Sequence, residues 1–229
     1  MTWTVDGTIR RAVVYAPTAK SAGRVPLVFS FHGHGDDIQN FQFTNLHEAW
    51  HEALIVYPQG LPSRDGLSGW QVEKGQEGDR DLRLVDVVIA SLGERFKIDD
   101  ARIYATGFSN GAGFTYLLWA ERPAVFAAFA PVAGRLRPSV LPSQPKPLLH
   151  VAGRRDAQIP FADQLAAVEM AKRVDGVTDT GTVCGNGCTT YGSTGASPVM
   201  TWFHSGGHQY PDTTAKRIAQ FFRAHPNRE

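Results

Sequence analysis

At 229 residues, with 42% hydrophobic and 20% charged side chains, the chain can bury a sizeable core and reads as one domain spanning 1–229. Its formal net charge of +1, with acids and bases spread along the sequence, gives no electrostatic footprint for nucleic acid or an anionic membrane. No apolar run approaches the roughly 20 residues of a bilayer-spanning helix, and the amino end, Met1-Thr2-Trp3-Thr4-Val5-Asp6, lacks the basic and apolar stretches of an export signal.

Taken in order, Thr8 to Ala16 and Val25 to Phe31 read as strands, the second apolar enough to be buried on both faces. Phe41 to Glu52 reads as a helix and Ala53 to Pro58 as another buried strand. Leu82 to Phe96 places Leu84, Val87, Val88 and Leu92 on one helical face. An apolar run from Arg102 then enters Gly107-Phe108-Ser109-Asn110-Gly111, followed by a helix to Glu121 that Pro123 ends. Phe126 to Val132, Leu148 to Ala152 and Val199 to Phe203 are further strands, with helices over Phe161 to Val174 and Pro211 to Ala224. Strands alternating with helices predict an α/β fold: a mostly parallel, twisted sheet of about eight strands, covered on both faces and joined by right-handed crossovers. The first strand or two can pair antiparallel at an edge. Loop-like composition fills 59–81, 135–147 and 175–197.

In such a sheet, reactive groups gather at the carboxyl ends of the strands. Gly107-Phe108-Ser109-Asn110-Gly111 has the spacing of the α/β-hydrolase nucleophile elbow, where Cβ atoms at the two glycines would collide with the adjoining strand or helix. A serine hydroxyl needs a histidine to take its proton and a carboxylate to hold that histidine's tautomer. In the order expected of this fold, successive strand ends supply Ser109, Asp156 and His208, with Asp163 and His204 as weaker competitors. The oxyanion that forms during acyl transfer calls for two donors. Asn110 would supply one backbone N–H and His34, in His32-Gly33-His34-Gly35, the other. Nothing near His32 and His34 completes a metal site, and the chemistry requires no cofactor.

Cys184 and Cys188 flank Gly185-Asn186-Gly187, which lets the chain curl enough to join the sulfurs. A local disulfide, with an oxidising compartment, stands against the plainer reading of two free thiols. Export would need a leader or preceding domain outside this sequence, and Met1 reads either as a natural start or as an engineered one.

Four stretches, Phe31 to Gly35, Tyr104 to Ala112, Gly153 to Phe161 and Gly206-Gly207-His208-Gln209-Tyr210-Pro211, resemble the polyhydroxybutyrate depolymerase and feruloyl esterase group of α/β-hydrolases, similar to carbohydrate esterase family 1. The resemblance implies a serine hydrolase of carboxylic esters, often secreted, in some members releasing feruloyl or acetyl groups from plant polysaccharides. Two positions depart from the group's pattern: Tyr210 stands where tryptophan is common, and His34 where small residues are common. Only 135–147 lies where such folds insert a lid, too short for a helical cap, so an open cleft is expected. It would have walls from 59–81 and 184–197, with Trp70 either stacking on an aromatic acyl group or a sugar or serving as an ordinary packing residue. A polyhydroxyalkanoate depolymerase, a thioesterase or small peptidase of this fold, and a non-catalytic carbohydrate-binding module are the alternatives.

Overall fold

The computed structural model describes residues 1–18 and 23–227. Its elements run β1 (Thr2–Val5), β2 (Thr8–Tyr15), β3 (Val25–Phe31), α1 (Ile38–Phe41), α2 (Leu46–Ala49), β4 (Leu54–Pro58), the short pair β5 (Leu61–Pro62) and β6 (Ser68–Gly69), α3 (Arg80–Gly93) and β7 (Ile98–Phe108). There follow α4 (Asn110–Glu121), β8 (Ala128–Val132), β9 (Leu148–Gly153), α5 (Phe161–Val174), β10 (Thr182–Gly185), β11 (Cys188–Tyr191), β12 (Val199–His204) and α6 (Thr214–Ala224).

Among the described residues ten strands form one sheet in the order β1-β2-β4-β3-β7-β8-β9-β12-β11-β10. The six central strands are parallel, while β1, β2, β10 and β11 pair antiparallel at the two edges. Full burial explains the unbroken apolar runs: every residue of β3, β4, β8 and β9 is buried. Pro26, which has no N–H to give a ladder, coincides with the register shift between Val25 and Leu27 against β7.

Two apolar clusters cover the two faces. One gathers Leu84, Val85, Val88 and Leu92 of α3, Phe114 to Trp119 of α4 except the polar Thr115, and Ala167, Val168 and Ala171 of α5. The other joins Phe41, Leu46 and Trp50 to Ile218, Phe221 and Phe222 of α6. Among the described residues no helix is long and apolar enough to cross a membrane. Between β8 and β9 the structure has a single 3-10 turn, Pro138–Val140, in place of any helical cap.

Three local expectations change. The single helix over 41–52 is two short helices separated by a 3-10 turn, Gln42–Thr44, because Asn45 adopts φ 53°, a left-handed conformation that asparagine tolerates. The Tyr57 hydroxyl accepts the Leu46 N–H at 3.0 Å, supplying the partner that a continuous helix would have given. Second, the sheet has ten strands instead of about eight. The exposed β10 and short β11 lie within 175–197, where glycine, threonine and asparagine gave no apolar alternation. Third, 59–81 is tied down firmly. Arg10 and Asp81, 1% and 0% exposed, pair at 2.7 Å, and Arg10 also donates to the carbonyls of Arg80 and Gln59. The other Asp81 oxygen accepts the Gln71 N–H at 2.9 Å.

Breaking a buried pair leaves a charge uncompensated. Asp81→Ala should lower the unfolding free energy in urea by about 3–5 kcal/mol, and a loss below about 1 kcal/mol would contradict this role for the pair.

Candidate active site

β7 leaves the sheet at Phe108, and α4 begins at Asn110, so a single residue makes the reversal. That residue, Ser109, sits at φ 55° and ψ −112°, a conformation costly for any side chain. It is held there by its N–H donating to the Val132 carbonyl at 2.9 Å and by its carbonyl accepting from Ala112 and Gly113 at 3.0 and 3.1 Å. Glycine is required on both sides. A Cβ at Gly107 would strike the Gly111 carbonyl, and one at Gly111 the carbonyls of Phe31 and His32.

The loop after β3 lies alongside. A Cβ built on Gly33 would stand 3.7 Å from the Ser109 Cβ. Ser68 holds this loop from both directions: its carbonyl accepts the Gly35 N–H at 2.7 Å, and its hydroxyl donates to the Asp36 carbonyl at 2.5 Å. Behind the loop, buried His32 has its Nε2 occupied by the Gly60 N–H at 2.9 Å and its Nδ1 2.6 Å from the Gly33 carbonyl. Nε2 therefore accepts and Nδ1 carries the proton. Burial lowers the pKa of this imidazole, partly offset by its bond to Gly33, which keeps it neutral. Among the described residues, the backbone N–H groups of His34 and Asn110 have no hydrogen-bond acceptor. The Asn110 side chain is engaged elsewhere, accepting the Trp70 N–H at 2.7 Å and donating to the Trp70 carbonyl at 3.0 Å. The His34 ring points outward to Asp65, 2.7 Å from Nε2 to the carboxylate.

At the other side of the elbow, the ends of β9 and β12 are bonded together. The Arg154 and Arg155 N–H groups donate to the His204 and Gly206 carbonyls, each at 2.9 Å. A Cβ at Gly153 would collide with the carbonyls of Gly206 and Gly207. This contact delivers His208 to Asp156, with Nδ1 2.8 Å from Oδ2. Oδ1 of the same carboxylate accepts the N–H groups of Gln158 and Ile159, both at 2.9 Å. With Nδ1 so committed, Nε2 is the imidazole nitrogen left for proton transfer. The His208 ring lies 4.8 Å from that of Phe108, the residue before Ser109. Among the described residues no hydrogen bond joins Ser109 to His208; such contacts are often long before substrate binds.

The competitors are placed elsewhere. His204 has Nδ1 accepting the Gly206 N–H at 3.1 Å, and burial lowers its pKa against the attraction of Asp156. Asp163 pairs with Arg135 at 3.3 Å on the surface. Cys184 and Cys188 form a disulfide that closes the β10–β11 hairpin.

Trp70 requires a correction. It is 2% exposed and cannot stack on a substrate in an open cleft. Its ring packs parallel to Phe114 at 5.6 Å and edge-on to Phe31 at 5.1 Å, and its Nε1 donates to the His32 carbonyl at 3.0 Å. The indole therefore braces the loop after β3 from inside. Accessible aromatic surface lies instead at Phe43, which is 56% exposed and packs against Tyr210 beside a groove of about 250 Å³ also lined by Thr44, Asn45, Glu48 and Lys216. Tyr210 itself is buried, with its hydroxyl lacking a partner among the described residues.

The sequence reading assigned no role to Gln164, fully buried in α5. Its amide nitrogen donates to Asp156 Oδ2 at 3.0 Å and to the Ile159 carbonyl at 2.8 Å. Its oxygen faces His150 Nε2 at 3.3 Å, and His150 Nδ1 is 2.7 Å from the Tyr116 hydroxyl. Helical patterning marks Gln164 only as a polar residue near a helix start, so nothing local distinguishes it.

Burial pushes the His150 pKa down from 6.5 to about 4, the bond to Gln164 acting weakly against it. Between those values the unfolded chain binds more protons at this site than the folded protein. The stabilisation is therefore full above about pH 6.5 and is lost as pH falls toward 4. Wild type should lose on the order of 3 kcal/mol more than His150→Asn across this window in urea denaturation; parallel slopes would contradict the assignment.

The family model for esterase PHB depolymerase matches residues 11–140. A bifunctional acetylxylan esterase/xylanase of Neocallimastix patriciarum is 34% identical over 161 residues, covering 66% of this chain and 22% of that protein. Feruloyl esterase C of Emericella nidulans is 28% identical over 118 residues, 48% of this chain and 40% of its own. The matches thus span well under half the length of these relatives. Among solved structures, a ferulic acid esterase from Anaeromyces mucronatus superposes with a TM-score of 0.70 at 16% identity, over 98% of this chain and 89% of that one. An acetyl xylan esterase from Aspergillus awamori gives 0.69 at 16% identity, over 93% of each chain. At these identities the superpositions speak for a common α/β-hydrolase fold.

Proposed function

The chain belongs to the esterase PHB depolymerase family, and from that premise we propose that it is a catalytic domain for cofactor-free hydrolysis of carboxylic esters by a Ser109–His208–Asp156 triad. The observation that carries the reading is the Asp156–His208 bond beside a serine held in a strained elbow. A fold kept only to bind carbohydrate would have no use for that strain or for a buried carboxylate aimed at an imidazole.

In the proposed cycle, Ser109 Oγ attacks the ester carbonyl while His208 Nε2 takes its proton. Asp156 holds the imidazole and stabilises its charged form. The carbonyl oxygen, now negative, accepts from the Asn110 and His34 N–H groups, each such donor lowering the barrier by roughly 3–4 kcal/mol. The Ser109–carbonyl bond forms, the ester bond breaks, and the alcohol leaves with the proton from His208. Water then attacks the acyl-enzyme with His208 again as base, releasing the acid and restoring Ser109.

The acyl group is short, with acetyl the leading candidate and a polysaccharide the alcohol. Support comes from the acetylxylan esterase relative and from the burial of Trp70, whose indole is not available to stack on a feruloyl ring. The disulfide fits an oxidising, extracellular setting.

Ser109→Ala should lower kcat on a short-chain nitrophenyl ester by at least about 10⁴-fold, and retention of most activity would overturn the assignment. With the wild-type protein, acetyl esters should be cleaved faster than feruloyl esters. A strong feruloyl preference would refute the acyl-group proposal while leaving the triad intact.

A further inference from the structure

We propose that Gln164 is a positioning residue for catalysis, orienting Asp156 through a one-way hydrogen-bond chain that begins at Tyr116. The inference rests on the Ser109–His208–Asp156 reading above.

Each link fixes the next. The nitrogen end of the Gln164 amide must face Asp156 and Ile159, because a carboxylate and a carbonyl can only accept. Its oxygen therefore faces His150, and His150 Nε2 must carry the proton that bridges the 3.3 Å between them. A neutral imidazole has only one N–H, so Nδ1 accepts, and the Tyr116 hydroxyl at 2.7 Å donates to it. Burial holds Tyr116 protonated, with its pKa pushed well above the ordinary value, and holds His150 neutral, so both ends of this polarity persist through neutral pH.

The chain solves a specific problem. A glutamine amide is nearly symmetrical in shape, and reversed it would place an oxygen against the Asp156 carboxylate. His150 in one tautomer excludes the reversed orientation, and the Tyr116 hydroxyl, able to donate or accept, donates to the nitrogen that this tautomer leaves without a proton. Asp156 then receives four donors: Gln158 and Ile159 on Oδ1, Gln164 and His208 on Oδ2. The carboxylate cannot rotate without breaking all of them. Two further titratable groups bear on it: His204, kept neutral by burial, and His150 behind Gln164. Tyr116, His150 and Gln164 are each at most 1% exposed, so water cannot substitute for a missing link.

The test is kinetic, on the full chain with a short-chain nitrophenyl ester. Gln164→Leu should lower kcat by about 10- to 100-fold, by analogy with partners that orient the ligands of metal sites, with KM within about twofold. The acidic limb of kcat/KM should move to higher pH, because negative charge no longer shared with the amide acts wholly on the His208 imidazolium. Tyr116→Phe should give a smaller kcat loss, again with KM unchanged. Gln164→Glu keeps the side-chain shape, and its activity should fall as the introduced carboxyl ionises and repels Asp156. This variant decides the matter should Gln164→Leu not fold. Wild-type kcat and an unmoved acidic limb in the Gln164 variants would overturn the proposal. If Ser109→Ala is inactive under those conditions, this inference alone fails; if Ser109→Ala is active, the triad reading fails first.

Discussion

Strand β7 can pass directly beneath the first turn of α4 only because Gly107 has no Cβ, and that turn can rest on the end of β3 only because Gly111 has none. Their close approach is what lets Ser109 make the reversal by itself, with the adverse backbone angles held by the neighbouring strand and helix. Everything on the amino-terminal side of the site follows from this contact. The helix starts at Asn110, leaving its N–H without a helical partner, and β3 lies near enough that Gly33 is brought against the serine. A larger residue at either glycine would move the helix, the strand end and the loop after β3 together.

The carboxyl-terminal half is organised by hydrogen bonds more than by close packing. Asp156 lies just beyond the end of β9 with both oxygens satisfied, and its four donors come from three levels of structure: two from turn backbone, one from a helix side chain and one from the loop after β12. A carboxylate buried this way needs a hydrogen-bond partner on each oxygen, and Asp156 has them. The same arrangement keeps it available to His208. On the opposite side, Trp70 and the Arg10–Asp81 pair perform the bracing, fixing a long irregular segment against the core so that the loop after β3 stays in place. Several of the buried polar groups thus hold two loops on either side of one serine.

Much of this was legible in the sequence because the relevant signals are local. Continuous apolar runs marked the central strands, and strand ends marked where Ser109, Asp156 and His208 had to be sought. Gly107 and Gly111 could be read as steric necessities before any neighbour was known. The edges of the sheet were less visible: β10 is entirely exposed, so it has no buried face to write into its pattern. Trp70 was misread for a related reason. A tryptophan among glycines and serines looks like a surface residue, and only the fold of 59–81 over β3 reveals that its ring belongs to the core. Gln164 and His150 are 14 residues apart and meet Tyr116 from a third element, so their connection exists only in three dimensions.

The central claim is that Ser109 is a nucleophile activated from one side by His208 and faced from the other by unpaired backbone donors. Reaction with a fluorophosphonate probes this directly, since the phosphorus is attacked only by an activated serine. Mass spectrometry of the digested, labelled protein should find one adduct per chain, on the peptide containing Ser109, and heat-denatured protein should not react. No adduct, or an adduct on another residue, would contradict the account.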